Sequence, residues 1–243
     1  MDVDEPLVLA SDLDGTFLGG TNEQRSQFYA YLQQHRQRLV LMFVTGRNLD
    51  LVRQLYREPD FPQADYIIGD VGTTVTHGQT FKPLESVQTW IAQTWNDSAE
   101  RVRSLLNNEP GLELQPITPQ YRVSYYYNPD ELQSQTLTRI TQAGFDYILS
   151  ADRFLDVMPK GIAKGATLLK TLESLHLAPE QTVVAGDTLN DRSLLETGLN
   201  GIVVGNAEPK LKEIARSLPN AYISPEPGAW GIWDGLKHHG RAF

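Results

Sequence analysis

Residues 7–16 read LVLASDLDGT, an apolar run that stops at two carboxylates, a glycine and a hydroxyl. Asp12 and Asp14, one residue apart, can aim into the same small volume, where their repulsion is costly unless a cation lies between them. Magnesium is the natural cation for such an all-oxygen pair. Gly15 lets the backbone fold tightly after the second acid, and Thr16 offers a hydroxyl and an amide. Taken alone, the same letters also describe a strand followed by an Asp-Gly turn with solvated acids. Two further apolar runs end in polar groups. Residues 39–44, LVLMFV, stop at Thr45, Gly46 and Arg47, and residues 181–185, QTVVA, stop at GDTLND, which carries Asp187, Asn190 and Asp191. Lys164-Gly165 opens a helical pattern between them. Together these residues supply a carboxylate nucleophile, a second carboxylate for proton transfer, further acids for a hard cation, and a hydroxyl and cations for an anion. That set suits phosphoryl transfer.

The elements that must position them follow from the pattern. Short apolar runs bounded by turn signals predict strands buried on both faces of a parallel sheet, and ligands of such sheets bind beyond the strands' carboxyl ends. Polar stretches alternate with these runs. Residues 23–38 suit an amphipathic helix, Asn48 and Asp50 mark a helix start, and residues 166–175 and 209–217 predict two more helices. Residues 65–69, 201–204 and 221–223 extend the sheet, and residues 74–76 suit a hairpin partner. The expected fold class is α/β: a Rossmann-like parallel sheet core with helices on both faces.

Residues 83–159 differ in character. Strand-like pieces at 121–127 and 145–149 lie between and after long helical stretches, 87–107 and 131–143, with Trp90, Trp95 and a tyrosine cluster. This block predicts a small α+β domain inserted into the sheet, bounded by Pro83 and Pro159, so that residues 1–82 and 160–243 form the core. Its aromatics are expected to pack the small domain against itself. Residues 237–241, KHHGR, read as a solvated tail without a site.

The 243 residues suffice for a sizeable core, and the formal charge of −9 disfavours a nucleic-acid partner. The acidic start, MDVDEP, is unlike a secretory signal, and no apolar run nears the roughly 18 residues that span a bilayer. The expectation is a cytoplasmic protein off the membrane. The absence of cysteine excludes disulfides, thiolate nucleophiles and Cys-based zinc sites. Neither a Walker A loop nor a dinucleotide-binding glycine fingerprint occurs, which removes the two commonest nucleotide readings.

DLDGT at Asp12 to Thr16, VTGR at Val44 to Arg47, Lys164-Gly165 and GDTLND resemble, in order and spacing, the four motifs of the haloacid dehalogenase superfamily of phosphohydrolases. The insertion is similar to the cap of its Cof-type, or IIB, branch. VTGR, DYIIGDVGT and RVSYYYNPDEL look most like sucrose-phosphate and mannosylfructose-phosphate phosphatases. The resemblance implies Asp12 as nucleophile, Asp14 as general acid and base, Thr45 and Gly46 as holders of the phosphoryl oxygens, and Lys164 as the neutralising cation. It implies Mg2+ bound by Asp12, the Asp14 backbone carbonyl and Asp187, with Asp191 in support. Arg47, Asn190, Arg122 and Tyr125 would contact substrate.

The leading expectation is a Mg2+-dependent phosphatase of a phosphorylated sugar, foremost sucrose 6-phosphate, with mannosylfructose phosphate or a hexose phosphate as alternatives. A glycosyltransferase would supply the substrate, and the chain would be monomeric. A phosphosugar mutase is a second reading, although residues 18–23 leave no room for the smaller helical cap that mutases commonly insert there. A sugar-phosphate-binding partner without turnover is a third, but it would need only the anion site.

Overall fold

The computed structural model describes residues 5–150 and 152–243; Ala151 and Met1–Asp4, most of the acidic start, lie outside the described residues. Eleven strands and nine α-helices are found among them. The strands are β1 (Leu7–Ser11), β2 (Leu39–Val44), β3 (Tyr66–Gly69), β4 (Thr74–His77), β5 (Leu112–Leu114), β6 (Val123–Tyr127), β7 (Phe145–Ser150), β8 (Phe154–Pro159), β9 (Thr182–Gly186), β10 (Asn200–Val203) and β11 (Ala221–Ile223). The helices are α1 (Asn22–Gln34), α2 (Leu49–Leu55), α3 (Glu85–Trp95), α4 (Ala99–Leu105), α5 (Ser134–Gln142), α6 (Lys164–Leu175), α7 (Arg192–Leu195), α8 (Pro209–Ala215) and α9 (Gly228–His238).

A seven-stranded sheet runs β11-β10-β9-β1-β2-β3-β4, parallel except for β4. The alternation of side chains along its strands feeds two cores. Leu7, Leu9, Leu41 and Phe43 pack with Phe17, Phe28 and α9 on one face, while Val8, Ala10, Met42 and Val44 pack with α6 on the other. Each fully buried aliphatic or aromatic side chain contributes about 1.5–3 kcal/mol, so these central strands anchor the fold. Register then aligns their ends. Ser11 pairs with both Phe43 and Ala185, so the residues after β1, β2 and β9 emerge side by side. The predicted α/β core with helices on both faces is therefore present.

A separate antiparallel sheet, β5-β6-β8-β7, carries α4 and α5 on one face. All its strands lie between residues 112 and 159, and Trp95, Tyr125, Phe145 and Leu155 pack its core. The expected self-packing of the aromatics holds for Trp95. Trp90 instead lies against the larger sheet's core, and α3 contributes Val87 and Ile91 there as well.

Three local expectations differ from the structure. The helical stretch 87–107 is broken, because Asn96 and Asp97 adopt φ of 48° and 56° and end α3. Residues 154–159 form β8, a strand the alternation did not disclose. The tail at 237–241 begins as the last turn of α9, and Arg241 donates to Gln181 Oε1 at 2.7 Å rather than trailing in water. Helix α9 contains Gly231 and Gly235, which weaken helix propensity, yet a Cβ on Gly235 would lie 2.6 Å from Ile202 Cδ1. Close packing on β10 explains the glycines.

Candidate active site

The wide turn Leu13–Phe17 follows β1 directly. Asp12 is extended, Gly15 takes φ 77°, and a Cβ there would collide with the Asp187 carboxylate at 2.1 Å. Only glycine allows that approach. Asp12 N donates to Ala185 O at 2.9 Å, tying the first acid to β9. Thr16 Oγ1 reaches across to Asp187 Oδ1 at 2.9 Å.

Lys164, the first residue of α6, is fully buried at the centre. Its Nζ donates to Asp12 Oδ1 at 2.7 Å, Asn190 Oδ1 at 2.8 Å and Asp191 Oδ1 at 2.6 Å. Asp191 is also fully buried. Its second oxygen accepts from the amides of Asp187 and Thr188, both at 3.1 Å, so it shapes the loop after β9. Segments 171 positions apart thus meet within hydrogen-bond range.

The electrostatics are unbalanced. One ammonium faces three buried carboxylates, whose oxygens lie within 4.8 Å of one another. Burial, then repulsion from Asp191, pushes the Asp12 carboxyl well above its usual range, with Lys164 opposing. Burial and Asp191 push Asp187 up to about 7. Burial alone would favour a neutral Lys164, but Asp12 and Asp191 outweigh it and hold the ammonium above its ordinary value. A hard divalent cation would relieve this excess, and the donor set, all oxygen, fits one. Asp191 already uses both oxygens. Among the described residues no donor reaches Asp12 Oδ2 or Asp187 Oδ2, which leaves those two free to bind a metal directly.

Asp14 faces another way. Its carboxylate accepts from Arg47 Nε at 2.8 Å and Nη2 at 2.6 Å, a bidentate pair at the open rim, and it is not among the three clustered acids. Arg47 N donates to Thr45 Oγ1 at 3.1 Å, which fixes the bend through Gly46.

A model of the family described as sucrose-6F-phosphate phosphohydrolase matches residues 5–240. The chain belongs to that family. As a sucrose-6F-phosphate phosphohydrolase family member it stands within the haloacid dehalogenase superfamily. It is 35% identical over 235 residues to a glucosylglycerol-phosphate synthase of Pseudomonas anguilliseptica, covering 96% of this chain and 31% of that protein. It is 33% identical over 244 residues to a mannosylfructose-phosphate phosphatase of Agrobacterium fabrum, covering 96% of each. The chain spans 59% of the length of the tobacco sucrose-phosphatase 1, at 30% identity. A solved sucrose-phosphatase from Synechocystis sp. PCC6803, in complex with sucrose and phosphate, superposes with a TM-score of 0.88 at 24% identity, covering 97% of this chain and 98% of that one.

The structure brings Asp12, Thr45, Lys164, Asp187, Asn190 and Asp191 of this family member to one rim, with Asp14 and Arg47 beside them. The two residues from the inserted sheet are placed differently. Arg122 is buried and committed to Asp70 and Asp156. Tyr125 is buried with Val123, Leu155 and Val157 on the face covered by helices, while Ser124 and Tyr126 point to the opposite face. Several neighbours of the site were not singled out from sequence. Asn206 Nδ2 donates to Gly15 O at 2.9 Å, and Glu208 Oε2 accepts from Leu189 N at 3.0 Å. Asp70 follows β3. The same rule of polar residues after a buried strand would have pointed to all three, since GDVGT follows β3 and GNAEP follows β10.

Proposed function

We propose that this chain is a Mg2+-dependent phosphatase that removes the phosphate from a phosphorylated disaccharide, foremost sucrose 6-phosphate, through an aspartyl-phosphate. The observation that carries this reading is Lys164 bonded to Asp12 and Asp191 beside Asp187 at the carboxyl ends of neighbouring strands. Asp12 attacks phosphorus through one carboxylate oxygen, and the bond to the sugar oxygen breaks. Asp14 gives its proton to that leaving oxygen. Asp14 then takes a proton from water, the water oxygen attacks phosphorus, and phosphate leaves with Asp12 restored. Thr45 and Gly46 hold the phosphoryl oxygens, and Lys164 offsets charge on Asp12. Asp12, Asp187 and the Asp14 carbonyl, with Asp191 behind them, would hold Mg2+, which when bound would supply electrostatic stabilisation of the charge that develops on the phosphoryl oxygens. Asp14 must first leave Arg47, and an anionic ester competing for the guanidinium would release it.

Residues 83–159 serve as the cap over this rim and set the sugar specificity, with Asn190 as a sugar-facing position of the core inferred from the family. The family's sugar-contact role for Arg122 and Tyr125 is not carried over, because Arg122 is committed to Asp70 and Asp156 and Tyr125 is packed inside the small sheet. The chain acts as a monomer in the cytoplasm and receives its substrate from a glycosyltransferase. A second reading, glucosylglycerol phosphate as substrate, is favoured by the match to about a third of a protein named for making that compound. Initial rates on sucrose 6-phosphate, mannosylfructose phosphate, glucosylglycerol phosphate and hexose phosphates, with Mg2+ and with chelator, test both. Chelator-sensitive phosphate release that is fastest on sucrose 6-phosphate supports the first reading. Preference for glucosylglycerol phosphate supports the second, and no release from any ester overturns both.

A further inference from the structure

Among the described residues, Arg122 and Asp70 form the one ion pair that joins the two sheets. Arg122 Nη2 donates to Asp70 Oδ1 at 3.0 Å, with 8% and 12% of the two side chains exposed. The guanidinium is held first from its own side. Nη1 donates to Ser124 Oγ at 2.6 Å and to Asp156, residues that face each other in the β6–β8 register. Nε is buried without a partner among the described residues, so the two Nη groups set its place. A rigid fork gripped on one prong presents the other in a fixed direction, which a flexible ammonium would not do.

Asp70 belongs to a turn that a strand end does not ordinarily adopt. Asp70 and Val71 take φ of 50° and 61°, followed by Gly72 at 104°, and all three are buried. A β-branched residue in the left-handed region is a genuine outlier that persists only where its surroundings over-determine it. Those surroundings carry the site. Asp70 N donates to Arg47 O at 2.9 Å, and Val71 N donates to Thr45 O at 3.1 Å. Gly72 O accepts from Thr167 Oγ1 at 2.7 Å, and a Cβ on Gly72 would lie 2.7 Å from Lys164 N. One strained turn therefore braces the backbone of Thr45, Arg47 and Lys164.

We propose that Asp70 and Arg122 are a positioning pair: through them the inserted sheet holds the turn at residues 70–72, and the turn's amides in turn fix Thr45 and Arg47 for the phosphate ester. Neither residue touches the reacting atoms. The catalytic consequence rests on the phosphatase reading, whereas the mechanical link does not.

Amide hydrogen exchange on Asp70→Asn, Arg122→Met and the double variant, with Arg122→Lys as the milder change, tests the link without turnover. Protection at Asp70 and Val71 should fall in each single variant, and the double should be no worse than the worse single, because both break one connection. With sucrose 6-phosphate and with a small aryl phosphate, kcat should fall about tenfold to a hundredfold, since a misplaced phosphate loop harms both. Wild-type protection in the single variants overturns the proposal. So does a rise in KM for the sugar ester alone in Arg122→Met, with Asp70→Asn unaffected, which would make Arg122 a substrate contact. Loss of melting temperature with kcat unchanged also overturns it. Wild-type protein that cleaves no ester, with the exchange pattern as expected, sinks the phosphatase reading and leaves the pair standing.

Discussion

Two buried cations in this molecule each stand between carboxylates, and they are built for different ends. Lys164 offers a single ammonium to Asp12 and Asp191 while Asp187, also largely buried, has no cation of its own among the described residues. Arg122 offers two prongs to two acids on different sheets. Burying charge is expensive unless it is paired, so the deficit around Lys164 must be met from outside the chain. Around Arg122 the chain supplies both partners, and the result is a joint. A pocket of charge left unbalanced invites a ligand; one closed by a fork fastens two pieces together.

The contrast can be broken most forcefully at Asp12. Asp12→Asn keeps the volume and removes the attacking charge, so phosphate release should drop by at least about a thousandfold while the circular dichroism spectrum stays that of the wild type. Turnover near the wild-type rate would remove the basis for treating the Lys164 cluster as reactive. Next in size is Lys164→Met, which strands Asp12 and Asp191. Urea unfolding at pH 7.5 in chelator should show a loss of about 3–5 kcal/mol, partly recovered by added Mg2+. A loss no larger than that of a surface lysine would equate the two cations.

A smaller effect concerns Asp187, whose folded pKa is raised to about 7. A raised carboxyl binds its proton in the folded chain over a range where the unfolded chain has released it. Its contribution to stability is therefore full below the unfolded value and is lost as pH rises toward 7. In chelator, the wild type should lose stability across that window, and Asp187→Asn should flatten the loss by on the order of 2 kcal/mol in urea titrations. Equal slopes for the two proteins would show that Asp187 carries no excess charge. The smallest change is expected for Tyr125→Phe, since the ring packs under α4 and α5: KM for the sugar ester should stay within about twofold. A larger rise would put the tyrosine in contact with substrate and give the inserted sheet a direct share in binding.

The site's legibility in the sequence was uneven for physical reasons. Asp12, Thr45 and Asp187 each end an apolar run, so the transition from buried strand to polar loop announces them locally. Lys164 lacks such a run, and only its pairing with the other motifs marked it. Asp70 carries the same strand-end signal but does its work through backbone φ values and a partner 52 positions away, which no local pattern encodes. Helix α9 was hidden by glycines that lower helix propensity and are repaid only when β10 is already in place. The parallel core was readable because strands buried on both faces leave near-continuous apolar runs. The small sheet was harder, since β5 and β7 are half wet and β8 mixes Asp156 into an apolar stretch.

Helix α3 has a consequence for anyone who would transplant specificity between relatives. Val87 and Ile91 are keyed into the large sheet's interior, whereas Trp95, one turn on, belongs to the small one. The rod thus acts as a shared beam, and a graft that replaces all of it would tear an opening in the chassis. Recombination after Ile91 would carry the guest's smaller sheet and leave the host's foundations closed.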